Sequence, residues 1–294
     1  MLISFCARAI LFSSPVSVGT FIKHFPTLNK SPNLKLINPI PAGKAIISFS
    51  SASAAAVDTP HFQTLNSDQK HQVRLYIDSL LQWNQKMNLT AVKEENEVME
   101  RHIEDSLAII DPVRSAYLSN CGNSFDKLSV VDVGSGAGLP GLILAIACRD
   151  WKVTLLESMN KRCVFLEHVV NLIGLQNVQI VRDRAENIGQ NHEFREGFDI
   201  AVARAVAEMR VLAEYCVPLV RVGGLFVAAK GHDPQEEVTK AERAINLMGA
   251  SLLQTCFVES HSKYGQRTVI ICLKDDSTPR KYPRAPGTPS KLPL

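Results

Sequence analysis

Residues 130–141 read VVDVGSGAGLPG. A run of β-branched residues that ends in an acid and passes at once into four glycines predicts a buried strand turning sharply into a helix. Open parallel sheets bind ligands beyond the carboxyl ends of their strands, and glycines at the first strand–helix turn let the backbone approach a ligand closely. The same alternation continues downstream. LSVVDV, KVTLLE, VQIVRD, FDIAVA and LFVAAK read as strands with helical segments between them, which predicts an α/β fold with a mostly parallel sheet covered on both faces. A helix at PQEEVTKAERAINLMG then precedes SLLQTCFVES and RTVIICLK, joined across SKYGQ, so an antiparallel pair is expected to close one edge of a seven-stranded sheet.

Upstream, SDQKHQVRLYIDSLLQWNQKMNLTA carries Val73, Ile77, Leu80, Leu81 and Met87 at helical spacing, and ENEVMERHIEDSLAII carries Val98, Ile103, Leu107 and Ile110. Residues 58–120 are therefore expected to form a helical hairpin that buries its stripes against the α/β domain of residues 121–294. Residues 1–57 differ from both: they hold no Asp or Glu, five basic residues (Arg8, Lys23, Lys30, Lys35, Lys44) and many serines. That composition predicts a disordered organelle transit peptide, with the chloroplast stroma as destination and the mitochondrion as the alternative.

Without that leader the chain keeps 27 of its 32 basic residues and all 29 acidic ones, so global charge does not announce a nucleic-acid binder and any such surface must be local. No apolar run reaches the eighteen or so residues of a membrane span. Six cysteines (Cys121, Cys148, Cys163, Cys216, Cys256, Cys272) follow the leader without CxxC spacing, which fits core thiols and no metal framework.

Residues 136–141 satisfy G-x-G-x-x-G, and Glu157 lies where a ribose-binding acid is expected, so the loop alone fits a nicotinamide enzyme as well. Asp132 favours another ligand. A carboxylate before the glycines sits poorly against a pyrophosphate and suits the amino group and sulfonium of S-adenosylmethionine. Glu157 is placed for two ribose hydroxyls, and Asp183–Glu186 for an adenine amino group.

The stretches LLQWNQKMNLTAV, RHIEDSLAI, DVGSGAGLPGLILAI, LLESMNKRCVFLEHV, RDRAENI, FDIAVARAVA, GGLFVAAKG and RKYPRAPGTPSKLPL together resemble the RsmG (GidB) family of small-subunit ribosomal RNA guanine-N7 methyltransferases, in a plant organellar form. The resemblance implies a class I, Rossmann-like methyltransferase fold and S-adenosyl-L-methionine as cosubstrate. It implies cofactor contacts at Gly134, Leu139, Ala185, Glu186 and Arg204 and gives Glu157 its ribose role; Asp132 and Gly136 of the glycine turn are expected beside them. It also implies small-subunit rRNA or a pre-ribosomal subunit as partner, and a chain acting as a monomer.

His102 and Asp105, three residues apart on one predicted helix face, are either a surface pair or contacts to RNA or cofactor. Lys161, Arg162, Arg182, Arg184, Lys230, Lys274, Arg280, Lys281 and Arg284 are candidate phosphate contacts. Guanine N7 carries a lone pair and no hydrogen, so no general base is expected. Neither an NPPY-like tetrapeptide nor a cysteine stands at AVARAVAE, which disfavours adenine-N6 and cytosine-C5 chemistry. A non-catalytic ribosome-assembly factor, a small-molecule methyltransferase and a nicotinamide oxidoreductase are the competing readings.

Overall fold

The computed structural model describes residues 59–258 and 266–294; the expected leader and most of SKYGQ lie outside the described residues. Seven strands, β1 (Ser129–Val133), β2 (Lys152–Leu156), β3 (Val178–Val181), β4 (Phe198–Arg204), β5 (Val220–Lys230), β6 (Ala250–Val258) and β7 (Arg267–Lys274), form one sheet. Their order is β3-β2-β1-β4-β5-β7-β6. The first five are parallel, and β7 pairs antiparallel with both β5 and β6. The strand order reverses between β1 and β4, the place where open α/β sheets bind ligands.

Alternation along each strand decides which side chains face which layer. Val130, Ile200, Val202, Val227, Val269 and Ile271 point to the layer that holds helices Ser67–Asn84, Gly141–Ala147 and Asn160–Ile173. Val131, Ala201, Ala203, Phe226 and Ile270 point to the other, with helices Met209–Cys216 and Gln235–Leu247. By the same period Asp132, Arg204 and Arg267 share the first face. Lys230 takes the second.

The N-terminal helices share a core with the sheet: Val73, Tyr76, Ile77 and Leu80 pack in one cluster with Leu142 and Phe165. Helix Ser67–Asn84 opens on a capping box between Asn66 and Gln69. The Gln69 amide also donates to the carbonyls of Ile146 (2.8 Å) and Ala147 (3.1 Å). It thereby satisfies carbonyls that the end of helix Gly141–Ala147 leaves open. Tyr76, fully buried, donates its hydroxyl to the Ala137 carbonyl at 3.0 Å. The first long helix therefore braces the glycine loop.

The second expected helix is not uniform. Glu95–Val98 is α-helical, Met99–Glu104 widens into a π-helical stretch, Asp105–Leu107 returns to α, and Ile110–Asn120 follows. Val98 and Ile103 are five residues apart, too far for one face of an α-helix, yet both are fully buried because the π turn closes i to i+5. The wider turn also buries Glu104, which accepts the backbone N–H groups of His61 (3.0 Å) and Phe62 (3.3 Å) and pins the start of the described chain.

The basic tail is engaged by the protein itself. The Arg284 guanidinium meets Glu214, 1% exposed, through Nε to Oε1 (2.9 Å) and Nη2 to Oε2 (2.6 Å). Lys274 is buried and donates to the Val217 carbonyl (2.9 Å) and the Thr278 hydroxyl (2.8 Å). Arg195 donates to the carbonyls of Thr278 and Tyr282, at 2.7 and 2.8 Å. Arg284 and Lys274 are thus tail anchors rather than offered charges, which corrects their reading as phosphate contacts; of the four tail cations expected to meet phosphate, only Arg280 and Lys281 are exposed.

Candidate active site

The glycine loop begins where β1 ends. Gly134 and Ser135 both donate to the Leu156 carbonyl (2.8 and 3.1 Å), which ties the turn to the end of β2. Gly134 has a φ of +74°, and a Cβ there would lie 2.8 Å from Val206 Cγ2. The loop after β4 therefore closes over a backbone that tolerates only glycine. Leu139 is buried beneath the turn.

Glu157, 3% exposed, accepts the N–H of Gly136 (2.9 Å) on one oxygen and of Met159 (2.8 Å) on the other, with Arg162 Nη1 at 3.5 Å. Each carboxylate oxygen has two acceptor positions, so with these three donors in place one hydroxyl can still be received, and a second if Arg162 turns away. Glu186 is also buried. Its oxygens accept the N–H of Gly287 (2.7 Å) and the guanidinium of Arg184 (3.2 Å), so the C-terminal tail holds the Ala185-Glu186 turn in place. Lys161 is exposed at the start of helix Asn160–Ile173, beside Glu157 and Arg162.

Asp132 turns inward. Its Oδ2 accepts the Gly141 N–H at 2.9 Å, while Oδ1 is buried with no partner. The expected meeting with a cationic ligand is therefore not its first duty: the carboxylate holds the glycine loop to the first turn of helix Gly141–Ala147. Burial pushes its carboxyl up from 3.8 to about 7, opposed by the Gly141 N–H and by Arg204. A carboxyl raised on folding stabilises the native state below about pH 4, and that contribution is lost as pH rises toward 7. Asp132→Asn has no such loss, so its stability relative to wild type should rise between about pH 5 and about pH 7.5, by on the order of 2 kcal/mol. Urea midpoints of both chains at the two pH values check this; an unchanging gap would refute the buried charge.

Arg204, at the end of β4, extends from the first face into the π-helical segment. Its Nη1 lies 3.3 Å from the Arg101 carbonyl and 3.5 Å from the Ser106 hydroxyl, and its Nη2 3.5 Å from His102 Nδ1. His102 Nε2 meets Thr90 Oγ1 at 2.8 Å. With Arg204 donating to Nδ1, Nε2 carries the proton and donates to Thr90. Thr90 is in turn fixed by Asn84, whose side-chain amide donates to the carbonyls of Thr90 and Val92 and accepts the N–H groups of Leu89 and Thr90, at 2.8–3.1 Å. The WNQKMNLTAV stretch is thus a support for His102. Burial, then the charge of Arg204, with Arg101 and Arg267 adding, pushes His102 down to about 3, so the imidazole is neutral.

Asp105 accepts from Arg267 Nε at 2.7 Å. These side chains surround a cavity of about 290 Å³ at the ends of β4 and β5. That volume is close to the lower limit of small-molecule sites, at roughly 300 Å³. The structure therefore brings His102, Asp105 and Arg204 together. Lys230 touches the cavity but turns its ammonium to the other face, where it meets Glu237 (2.6 Å) and the Ala207 carbonyl (2.7 Å). Two further cavity residues were not singled out in the sequence: Arg101, although it opens the RHIEDSLAI stretch, and Arg267, which carries no local signal.

A family model described as rRNA small subunit methyltransferase G matches residues 69–269. A Ribosomal RNA small subunit methyltransferase G of Alkaliphilus metalliredigens is 43% identical over 230 residues, covering 78% of this chain and 92% of its own. One of Bacillus cereus is 40% identical over 231 residues, covering 79% and 93%. The chain belongs to the GidB family. As a GidB protein it is an S-adenosylmethionine-dependent rRNA methyltransferase, and its strand order reverses between β1 and β4, where open α/β sheets bind ligands. Three features of this chain suit that cosubstrate: a glycine turn that excludes side chains, a Glu157 with an acceptor position to spare, and an Arg204 reaching from the adjacent strand.

Proposed function

We propose that the chain methylates N7 of a guanine in small-subunit ribosomal RNA, acting as a monomer in the chloroplast stroma. S-adenosylmethionine supplies a methyl group on a sulfonium, an electrophile that a ring nitrogen with a free lone pair accepts without loss of a proton. Glu157, Leu139 and the Gly134–Gly136 turn would hold it, the Ala185-Glu186 turn would border its adenine, and Arg204 would fix its orientation from β4. The remaining task of the protein is alignment, which supplies several kcal/mol of barrier reduction.

The state of His102 carries this reading. An acceptor bearing a hydrogen needs a base tuned near the working pH. His102 is held neutral with both ring nitrogens engaged, far below that range, Asp105 is paired with Arg267, and Asp132, the carboxyl pushed to about 7, is fully buried against the Gly141 N–H. Guanine N7 needs no such base. Mass mapping of organellar small-subunit rRNA should find one N7-methylguanosine present with the protein and absent without it; an unchanged map would refute the proposal.

The destination rests on the acid-free, serine-rich segment of residues 1–57. A fluorescent protein fused behind residues 1–60 is expected in chloroplasts, and an exclusively mitochondrial or cytosolic signal would contradict that expectation.

A further inference from the structure

β7 runs antiparallel to β5, so its first residue comes to the same end of the sheet where β4 and β5 finish. Outward from the glycine loop the strand ends present Gly134 after β1, Arg204 on β4 and, two strands beyond β4, Arg267 on β7. Neighbouring strands lie about 4.8 Å apart, so Arg267 stands roughly 10 Å farther from the loop than Arg204. Arg101 enters the same cavity from the π-helical segment. The charged lining on this face is three guanidiniums against one carboxylate, Asp105; Arg101 also pairs with Glu97 (2.9 Å) and Arg267 with Asp105 (2.7 Å), which leaves a net positive cavity whose charge adds to burial in depressing His102.

We propose that this arginine-lined cavity is a phosphate site, in which Arg101 and Arg267 grip the RNA backbone beside the target nucleotide while Arg204 serves the cofactor. The inference rests on the rRNA reading above. Guanidiniums match phosphate oxygens in two-point contacts, and a half-buried position strengthens each contact relative to one on the open surface. Asp105 orients the Arg267 fork from behind, and His102, being neutral, does not compete for the anion. The carboxylate of the methionine moiety is the other anion at hand. A group seated at the glycine loop can reach Arg204, whereas Arg267 lies two strands farther out.

The test uses the full chain in two variants: Arg101→Gln, and the paired change Asp105→Asn with Arg267→Gln, which removes the buried pair together so that neither partner is left alone. Affinity for a stem–loop fragment of small-subunit rRNA is measured against salt, and affinity for S-adenosylmethionine by calorimetry. Each variant is expected to bind RNA roughly tenfold more weakly and to flatten the log–log salt slope by about 0.7–0.9 per lost phosphate contact, with cosubstrate affinity held within about twofold. Unchanged RNA affinity and slope in a folded Arg101→Gln chain would overturn the proposal. Cosubstrate affinity falling in step with RNA affinity would also overturn it, by assigning the cavity to the methionine carboxylate. Failure of the wild-type chain itself to bind the fragment would overturn the rRNA reading as well.

Discussion

Arg204→Ala is expected to lower kcat/KM for methyl transfer by about 100-fold, with only a small change in melting temperature. A misplacement of about 1 Å between reacting groups costs roughly that much in rate. The small stability effect follows from geometry: the hydrogen bonds of Arg204 are long, 3.3–3.5 Å, so the fold gains little from them. The same substitution removes the largest charge acting on His102, so the imidazole midpoint, followed by NMR, should rise from about 3 toward its ordinary value. A variant that kept wild-type turnover would exclude Arg204 from the site. One that lost activity without moving His102 would show that the pairing of the two is misassigned.

Arg284→Ala should be the most destabilising single change in the tail. Breaking a buried pair by removing one partner typically costs about 3–5 kcal/mol. Glu214 would be left almost wholly buried with its negative charge unmatched. In a domain of this size that corresponds to a melting temperature lower by about 6 °C or more. Neutralising Arg280 and Lys281 together should shift stability by no more than about 0.5 kcal/mol each, since both lie on the surface. Thermal melts of the two variants separate an anchoring tail from an RNA-binding one. Equal stability of Arg284→Ala and wild type would restore the tail as a candidate RNA surface.

The sheet was legible because each parallel strand is a compact apolar run punctuated by glycine or an acid, and the edge pair because two such runs flank a short loop. The glycine turn and Glu157 were legible for the same local reason. What escaped depends on contacts distant in the chain. Arg267 meets Asp105 across 162 positions, and Arg284 meets Glu214 across 70, so neither partner marks the other in the sequence. The π-helical stretch escaped because Val98 and Ile103 read as members of one α-helical stripe although they stand five apart, a step that only a π turn keeps on one face. Asp132 was legible as an important acid, but its inward turn was not. The rule that places an acid before the glycines does not say that Gly141 leaves room for the carboxylate at the helix start, where a Cβ would lie 2.7 Å from Asp132.

Transfer of a labelled methyl group by the purified chain to small-subunit rRNA, followed by digestion to nucleosides and mass analysis, tests the proposed chemistry most directly. The expected product is N7-methylguanosine, formed with S-adenosylhomocysteine in equal amount, at a rate that shows no ionisation of His102 between about pH 6 and about pH 8. Label on an exocyclic amine, on a ring carbon or on a ribose hydroxyl would demand a proton acceptor that His102 cannot be, and would contradict the assignment of this site as one that only aligns its reactants.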